Sequence, residues 1–385
     1  MRSNYKKLGQ FIQQVSVKNT DLKVDNLLGV SITKKFIPSI ANTIGTDMSK
    51  YKVVKKNQFT YGSITSRNGD KISVALLEDD EAIVSTSYTV FEVTKQDELL
   101  PEYLMMWFRR EEFDRYARYM SHGSTREAFG WEEMCDVELS VPSIEKQKEI
   151  VKEYHTITDR VKLNEQLNQK LEDTAQSIYK EWFKKWEINN SLKEHNLNEL
   201  CSLITDGKHG DCQNELNSGY YFVSVKDLED GEINYDNARQ ITKKDFEETD
   251  KRTNFKEGDI LFSNSGTIGR MIIAKDNKET RKTTFQKSVA ILKPKQNMAK
   301  SYYLYSLLKY NLKDIQELAS GTSQANLLLG SFRQFIILYP GYDEVCNYEK
   351  LVSPVFRILD NKRKENKHLK QLKEVLLSKM VTIEG

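Results

Sequence analysis

Ile144-Glu145-Lys146-Gln147-Lys148-Glu149-Ile150-Val151 opens a run of 42 residues, ending at Lys185, that holds neither proline nor glycine. Within it Ile150, Tyr154, Ile157, Val161, Asn164, Asn168, Leu171, Ala175, Ile178 and Trp182 fall alternately four and three apart. That spacing is a heptad seam, the pattern of a helix that lays one stripe along a partner. At 1.5 Å per residue the rod is about 60 Å long, more than one small globular domain covers. A second helix is expected after Pro354, with Val355, Leu359, Lys362, Asn366, Leu369, Lys373, Leu376 and Met380 at the same spacing. Each helix could pack on its own domain, but their similar length and apolar stripes favour pairing with each other. Asn164 and Asn168 in one seam and Asn366 in the other would then set register by hydrogen bonding, at some cost in stability. Antiparallel pairing would hold two globular halves apart on a rigid spacer.

Working outward, the segments around the two helices repeat. Leu104-Met105-Met106-Trp107-Phe108, Ser121-His122-Gly123-Ser124-Thr125 and Val137-Glu138-Leu139-Ser140-Val141-Pro142 precede the first helix. Leu304-Tyr305-Ser306-Leu307-Leu308, Ala319-Ser320-Gly321-Thr322-Ser323 and Phe335-Ile336-Ile337-Leu338-Tyr339-Pro340 precede the second. The offset is 198 residues at both Gly123/Gly321 and Pro142/Pro340. Gln58–Ser63 and Asp259–Asn264 correspond more loosely, each a β-type run entering a loop of small residues. Such a repeat is a whole-domain duplication rather than a solenoid unit. Strands are expected at Ala82–Val84, Tyr88–Val93, Tyr221–Val225 and Ser288–Leu292, with one amphipathic helix after them in each half. The expected fold is therefore α+β: two similar mixed domains, 1–143 and 189–341, separated by an antiparallel coiled coil of a central spacer helix, 144–188, and a C-terminal one, 342–385.

Composition narrows the chemistry. The chain has 385 residues, 38% hydrophobic and 30% charged, with a net charge of +2. At roughly 100–200 residues per domain that length holds two or three domains. No apolar run approaches the roughly 18–20 residues of a membrane span, and the first residues reach no apolar signal core, so the expected compartment is the cytoplasm. The four cysteines form no CxxC pair, which argues against a disulfide framework or zinc ribbon; Cys201, His209 and Cys212 could ligate a metal only with irregular spacing. Lys and Arg balance Asp and Glu region by region, 19 against 20 over residues 1–143 and 21 against 20 over 189–341. A polyanion partner would therefore require the fold to gather cations on one face.

Catalytic signatures are missing. The six prolines are never adjacent, so the Asn/Asp-Pro-Pro-aromatic loop of amino-methyltransferases is absent, as are GxxxxGK[ST] and HExxH. The single Glu-x-Lys, Glu365-Asn366-Lys367, lies inside the expected second helix, and Ser263-Asn264-Ser265-Gly266 lacks the GxSxG frame of a nucleophile elbow. What remains are donor-rich loops. Phe262–Arg270 gathers Ser263, Asn264, Ser265, Thr267 and Arg270 after a strand, suited to phosphate and base edges or equally to a tight glycine turn. Its first-half counterpart, Tyr61–Gly69, offers Arg67 and Asn68. Arg281, Lys282, Thr284, Gln286 and Lys287 form a dense donor cluster before a strand, and the Gly-Ser/Thr loops add Arg126 and Gln324. The doublets Lys34-Lys35 and Lys55-Lys56 are expected on solvated surface.

Together the duplication, the helix after each half, Gly-Asp-Ile-Leu-Phe-Ser…Ser-Gly-Thr-Ile-Gly at 258–269, Gly-Thr-Ser-Gln-Ala-Asn-Leu at 321–327 and Val-Pro…Glu-Lys-Gln-Lys-Glu-Ile-Val at 141–151 resemble the specificity subunit of type I restriction-modification systems. The resemblance spans essentially the whole chain. It implies two target-recognition domains, each reading one part of a split DNA sequence, and spacer helices between them. It implies a subunit without catalysis or cofactor of its own, assembled with two modification subunits that use S-adenosylmethionine and with motor-nuclease restriction subunits that use ATP and Mg. Thr60-Tyr61-Gly62-Ser63-Ile64-Thr65 departs from the Phe-Ser-x-Ser-Gly-Thr form of the second half. A bipartite site suits a stiff spacer, because one base pair of error moves a donor about 3.4 Å and turns it about 36°. Near-neutral bulk charge implies weak DNA binding by the chain alone. The competing class is a coiled-coil protein-interaction scaffold without DNA specificity; a solitary restriction enzyme is disfavoured by the missing motifs.

Overall fold

The computed structural model describes residues 5–40, 45–66, 68–69, 71–122, 127–189, 192–321 and 325–382. The chain packs as two compact units, Met1–Asn164 with Glu365–Gly385, and Glu165–Lys364. The first long helix spans Ile144–Ile188 and the second Tyr342–Lys379. Each contributes one part to each unit.

The second helix starts at Tyr342, the bound expected for the C-terminal spacer, and runs on through Pro354, after which the sequence places the seam. Val345, Tyr348 and Val352 are completely buried and hold that stretch helical, while Pro354 lies on the exposed side. Burying three such side chains contributes about 1.5–3 kcal/mol each, enough to offset the roughly 3 kcal/mol a mid-helix proline costs.

In the first unit the helices pair antiparallel. Ile150 and Tyr154 share a core with Leu377 and Met380, while Arg160 bonds Glu365 at 2.6 Å. Asn164 Nδ2 donates to Asn366 Oδ1 at 2.9 Å, and Asn366 Nδ2 reaches the Val161 carbonyl at 3.4 Å. Both asparagines are buried. In the second unit Glu172 pairs with Arg363 at 2.6 Å, and Tyr348 Oη donates to Ser306 Oγ at 2.8 Å. Asn168 does not join the register set: its Oδ1 is buried there with no hydrogen-bond partner. Phe356 is buried in the core there, with Val355 partly buried against it.

Each unit carries a four-stranded antiparallel sheet of the same order. In the first it runs Ile12–Val15, Tyr88–Val93, Gln58–Gly62, Val74–Leu76. In the second it runs Cys201–Asp206, Val289–Pro294, Ile260–Ser263, Met271–Ile273. Val289, Ala290, Ile291 and Leu292 are all fully buried, which is why that interior strand reads as an unbroken apolar run rather than an alternation. A helix follows each sheet, Pro101–Phe108 or Ser301–Tyr310. A two-stranded ribbon then leads to the long helix: Glu138–Ser140 on Tyr5–Lys7, and Ile336–Tyr339 on Lys193–Asn196. The duplication seen in sequence is thus a duplication of fold.

The insertions between corresponding strands differ. The first unit adds the sheet Val17–Lys18, Lys52–Lys55, Glu81–Val84 and a hairpin of Leu28–Val30 with Phe36–Pro38. The second adds the helix Lys243–Thr253 and a parallel pair, Tyr221–Val223 with Thr283–Phe285. The expected strand through Val225 stops at Val223, because Asp227 accepts both the amide and the hydroxyl of Ser224 at 2.8 Å and turns the chain. Lys34 is a further correction. It is buried rather than solvated, with its ammonium 2.7 Å from Asp114; burial pulls its pKa down while Asp114 opposes that. Lys35, Lys55 and Lys56 are exposed.

Candidate nucleic-acid interface

The alternating strand directions of the second-unit sheet bring four chain segments to one edge. The ends of Cys201–Asp206 and Ile260–Ser263 lie beside the starts of Val289–Pro294 and Met271–Ile273. Asn264 ties two of these to the segment after the Gly-Ser/Thr loop: its N–H donates to Ser288 O at 3.0 Å, and its carbonyl accepts from Leu327 N at 2.8 Å. Ser265 forms a bridge with Asn326, which in turn bridges to Ser320. The Gly-Ser/Thr loop is thereby stitched to the strand end.

The first unit repeats the stitching. Phe129 N donates to Ser63 O at 2.8 Å, Ile64 bridges to Ala128, and Ala128 bridges to His122. Ala128 and Asn326 keep the 198-residue offset of the sequence repeat. Phe262–Arg270 and Tyr61–Gly69 are therefore counterparts in space as well as in order.

Predicted site residues fall into distinct environments. Ser263 is fully buried; its Oγ donates to the Thr267 carbonyl and accepts the Arg270 N–H at 2.8 Å. Gly266 and Gly269 have φ of 73° and 100°, so the loop is a tight glycine turn. Asn264 is buried too, with Oδ1 unpartnered. Ser265 is half-buried and Thr267 exposed. Arg270 spends Nη1 on the carbonyls of Val225 and Leu228, at 3.2 and 3.0 Å. Thr284 is fully buried, its hydroxyl without a partner.

Gln286 and Lys287 lie at the sheet edge, half-buried and exposed respectively. Arg281 and Lys282 do not join them, since they precede the strand Thr283–Phe285 that Gln286 follows, about 10 Å away along an extended chain. Arg281 pairs with Asp276 at 2.7 Å, and Lys282 lies 5.4 Å from the Tyr220 ring. In the first unit Asn68 is half-buried, its Nδ2 3.4 Å from Ile64 O. Arg67, Arg126 and Gln324 lie outside the described residues.

Sequence reasoning weighed His209 only as a metal ligand and passed over the rest of the segment that crosses this edge, Asp206-Gly207-Lys208-His209. Lys208 N donates to Phe285 O at 2.8 Å, Lys287 N to Lys208 O at 3.2 Å, and Gly207 N to Val289 O at 3.3 Å. A Cβ on Gly207 would sit 1.9 Å from Phe285 O, so only glycine allows the crossing. The two glycines flanking Lys208-His209 were the available signal. Lys208 lies 3.5 Å from Asp245; the Gln213 N–H, working against burial, holds the Asp245 carboxyl low, with Lys208 adding to the effect. Among the described residues no group of three or more His, Cys, Asp and Glu is placed to hold a metal ion. No described helix is long and apolar enough to cross a membrane.

Comparison with known proteins places this geometry. The family model described as "Type I restriction modification DNA specificity domain" matches residues 6–173 and again 191–374. The chain is 26% identical over 308 residues to the type I restriction enzyme MjaIX specificity subunit of Methanocaldococcus jannaschii, covering 75% of this chain and 70% of that one. It is 28% identical over 158 residues to the HindI specificity subunit of Haemophilus influenzae, covering 40% of this chain and 34% of that one. The fold is similar to the crystal structure of a type I restriction-modification S subunit from M. genitalium, with a TM-score of 0.55 at 16% identity over 99% of this chain and 96% of that one. With two matches that together cover most of its length, each containing one stitched sheet edge, the chain belongs to the type I restriction-modification DNA specificity family and serves DNA sequence recognition.

Proposed function

We propose that each unit reads one part of a bipartite DNA sequence with its stitched sheet edge, and that the paired long helices fix the spacing of the two parts. The observation that carries this is the repetition of the same strand-end and Gly-Ser/Thr construction in both units, bordered by insertions that differ. A common frame with divergent inserts is what two readers of different sequences need. Among the predicted residues, the exposed Lys287 and Thr267 at the edge, with the half-buried Gln286 and Ser265 beside them, are those that meet DNA in this reading, with Asn68, Arg67, Arg126 and Gln324 belonging to the same loops. Ser263, Asn264 and Thr284 shape the edge from within, and Arg270 anchors the neighbouring turn. Arg281 and Lys282 lie along the flank, suited to phosphate.

In this reading the chain carries no catalysis or cofactor of its own. It acts in a cytoplasmic complex with two methyltransferase subunits that bind S-adenosylmethionine, joined by motor-nuclease subunits that use ATP and Mg. Its near-balanced charge fits a subunit that relies on those partners for part of its phosphate contact. Footprinting of the chain together with its methyltransferase subunits is expected to give two protected patches divided by an unprotected gap, matching a split methylated motif in the methylome. A single continuous patch, or tight sequence-selective binding by the chain alone, would overturn the reading.

A further inference from the structure

We infer that Asp206 is a positioning residue that arms a phosphate clamp, made of Lys208, His209, Arg252 and Lys287, at the sheet edge of the second unit. This inference rests on the DNA reading above and names which residues grip the backbone there. Asp206 ends its strand with a side chain only 9% exposed. One carboxylate oxygen accepts from His209 Nε2 at 2.9 Å, and the other accepts from Arg252 Nη2. Arg252 is further held by Nε donating to Thr205 Oγ1 at 3.1 Å. The outward parts of both cation-capable groups stay in solvent: the His209 side chain is 61% exposed and that of Arg252 49%.

Gly207 presses this segment onto the next strand connection, and the backbone clasp between Lys208 and Lys287 brings two further lysines to the same edge, with the Lys208 ammonium 3.5 Å from Asp245. Lys287 is exposed and has no acidic partner among the described residues. Carboxylates also face the group: Asp206 from below, Asp245 3.5 Å from the Lys208 ammonium, and Glu248 and Asp211 near enough to act on that ammonium. Three permanent cations around one buried anchor, with the imidazole beside them, match a run of phosphodiester oxygens better than a base edge. Lysine is a point charge without a directional pattern, and the N–H groups of Gly207, Lys208 and Lys287 are already spent within the clasp. The first-unit strand that corresponds to Cys201–Asp206 ends at Val15, with Ser16 and Val17 following, so the clamp belongs to the second half alone.

Two accounts of Asp206 predict opposite signs. If its charge merely offsets the cations, Asp206→Asn removes a repulsion and tightens DNA binding. If it positions them, the same change loosens Arg252 and His209 and weakens binding although every cation is still present. The test uses the full chain assembled with its methyltransferase subunits, and fluorescence anisotropy on two duplexes across a sodium chloride series: one carrying the methylome-defined site, one of mixed sequence. Arg252→Ala and Lys287→Ala are expected to weaken both duplexes alike, about 3–10-fold, and to reduce the salt slope by about 1 each. Arg252→Lys restores most of the slope, and Asp206→Asn weakens both duplexes.

If the wild-type complex binds neither duplex, the DNA reading fails and the clamp with it. If the wild type binds but the Arg252→Ala and Lys287→Ala slopes match it, or Asp206→Asn binds tighter, the clamp is overturned and the DNA reading stands. Losses confined to the cognate duplex would also overturn it, by assigning base contact instead. Arg252→Lys and Lys287→Ala alter exposed groups and keep the question decidable should Asp206→Asn fold poorly.

Discussion

Asn164 and Asn366 meet inside the seam of the two long helices, one amide donating to the other at 2.9 Å with both side chains buried. A pair of this kind adds little net stability, because water would have satisfied both amides, but leaving one alone is expensive. Asn164→Leu is therefore expected to cost about 1–3 kcal/mol by stranding the Asn366 amide, lowering the calorimetric melting temperature. Asn164→Leu with Asn366→Leu is expected to recover most of that loss while relaxing register. A double variant as unstable as the single one would show that the amides do not act as a pair. This contact was legible before any coordinates, since two heptad seams place both residues inward. The burial of Lys34 was not: its partner Asp114 lies 80 residues on, and the left-handed backbone at Lys34, φ 61°, leaves no mark on composition. Likewise, Asp206 and Arg252 became partners only through the packing of the helix Lys243–Thr253 against the sheet.

Proline weighs differently at the scale of an element. Local propensity alone would start the second long helix after Pro354, yet it begins at Tyr342. Pro354 leaves the carbonyl of Lys350 without its helical N–H donor, and because it is exposed its replacement forfeits no core contact. Pro354→Ala is expected to stabilise the protein by about 1–3 kcal/mol, read as a rise in melting temperature of several degrees. No rise would mean that the helix is already bent to suit the ring. Strands Tyr88–Val93 and Gln58–Gly62 were readable because pattern and turn signals agree locally. The parallel pairing of Tyr221–Val223 with Thr283–Phe285 was not, since it joins segments some 60 residues apart and is decided by what each buries. The same limit applied to the interface. The donor-rich loops stood out in sequence, but which donors face solvent and which brace the turn, as Ser263 does, depends on the sheet edge they close.

At the scale of the whole molecule the first unit is completed by a distant stretch of chain, whereas the second is one continuous segment. Leu377 and Met380, 3% and 0% exposed, belong to the core that holds Leu8, Phe59 and Trp107. Deleting residues 365–385 should therefore injure the N-terminal unit and spare Glu165–Lys364. At about 2–5 kcal/mol for each large buried side chain lost, the deletion is expected to split the thermal transition and bring its lower part down steeply. Protease cleavage mapping to residues before 144 would identify the injured half. Damage confined to the second unit would contradict the shared core.

That architecture also sets an order of events on the ribosome. Domains usually settle as they emerge, the earliest first. Here the first half must leave the exit tunnel with a gap in its interior and wait some two hundred residues for the wedge that closes it. The later half has all its pieces sooner. The nascent polypeptide thus finishes its beginning last, and chaperones that shelter exposed apolar surface would find their longest-lived target in the part translated first.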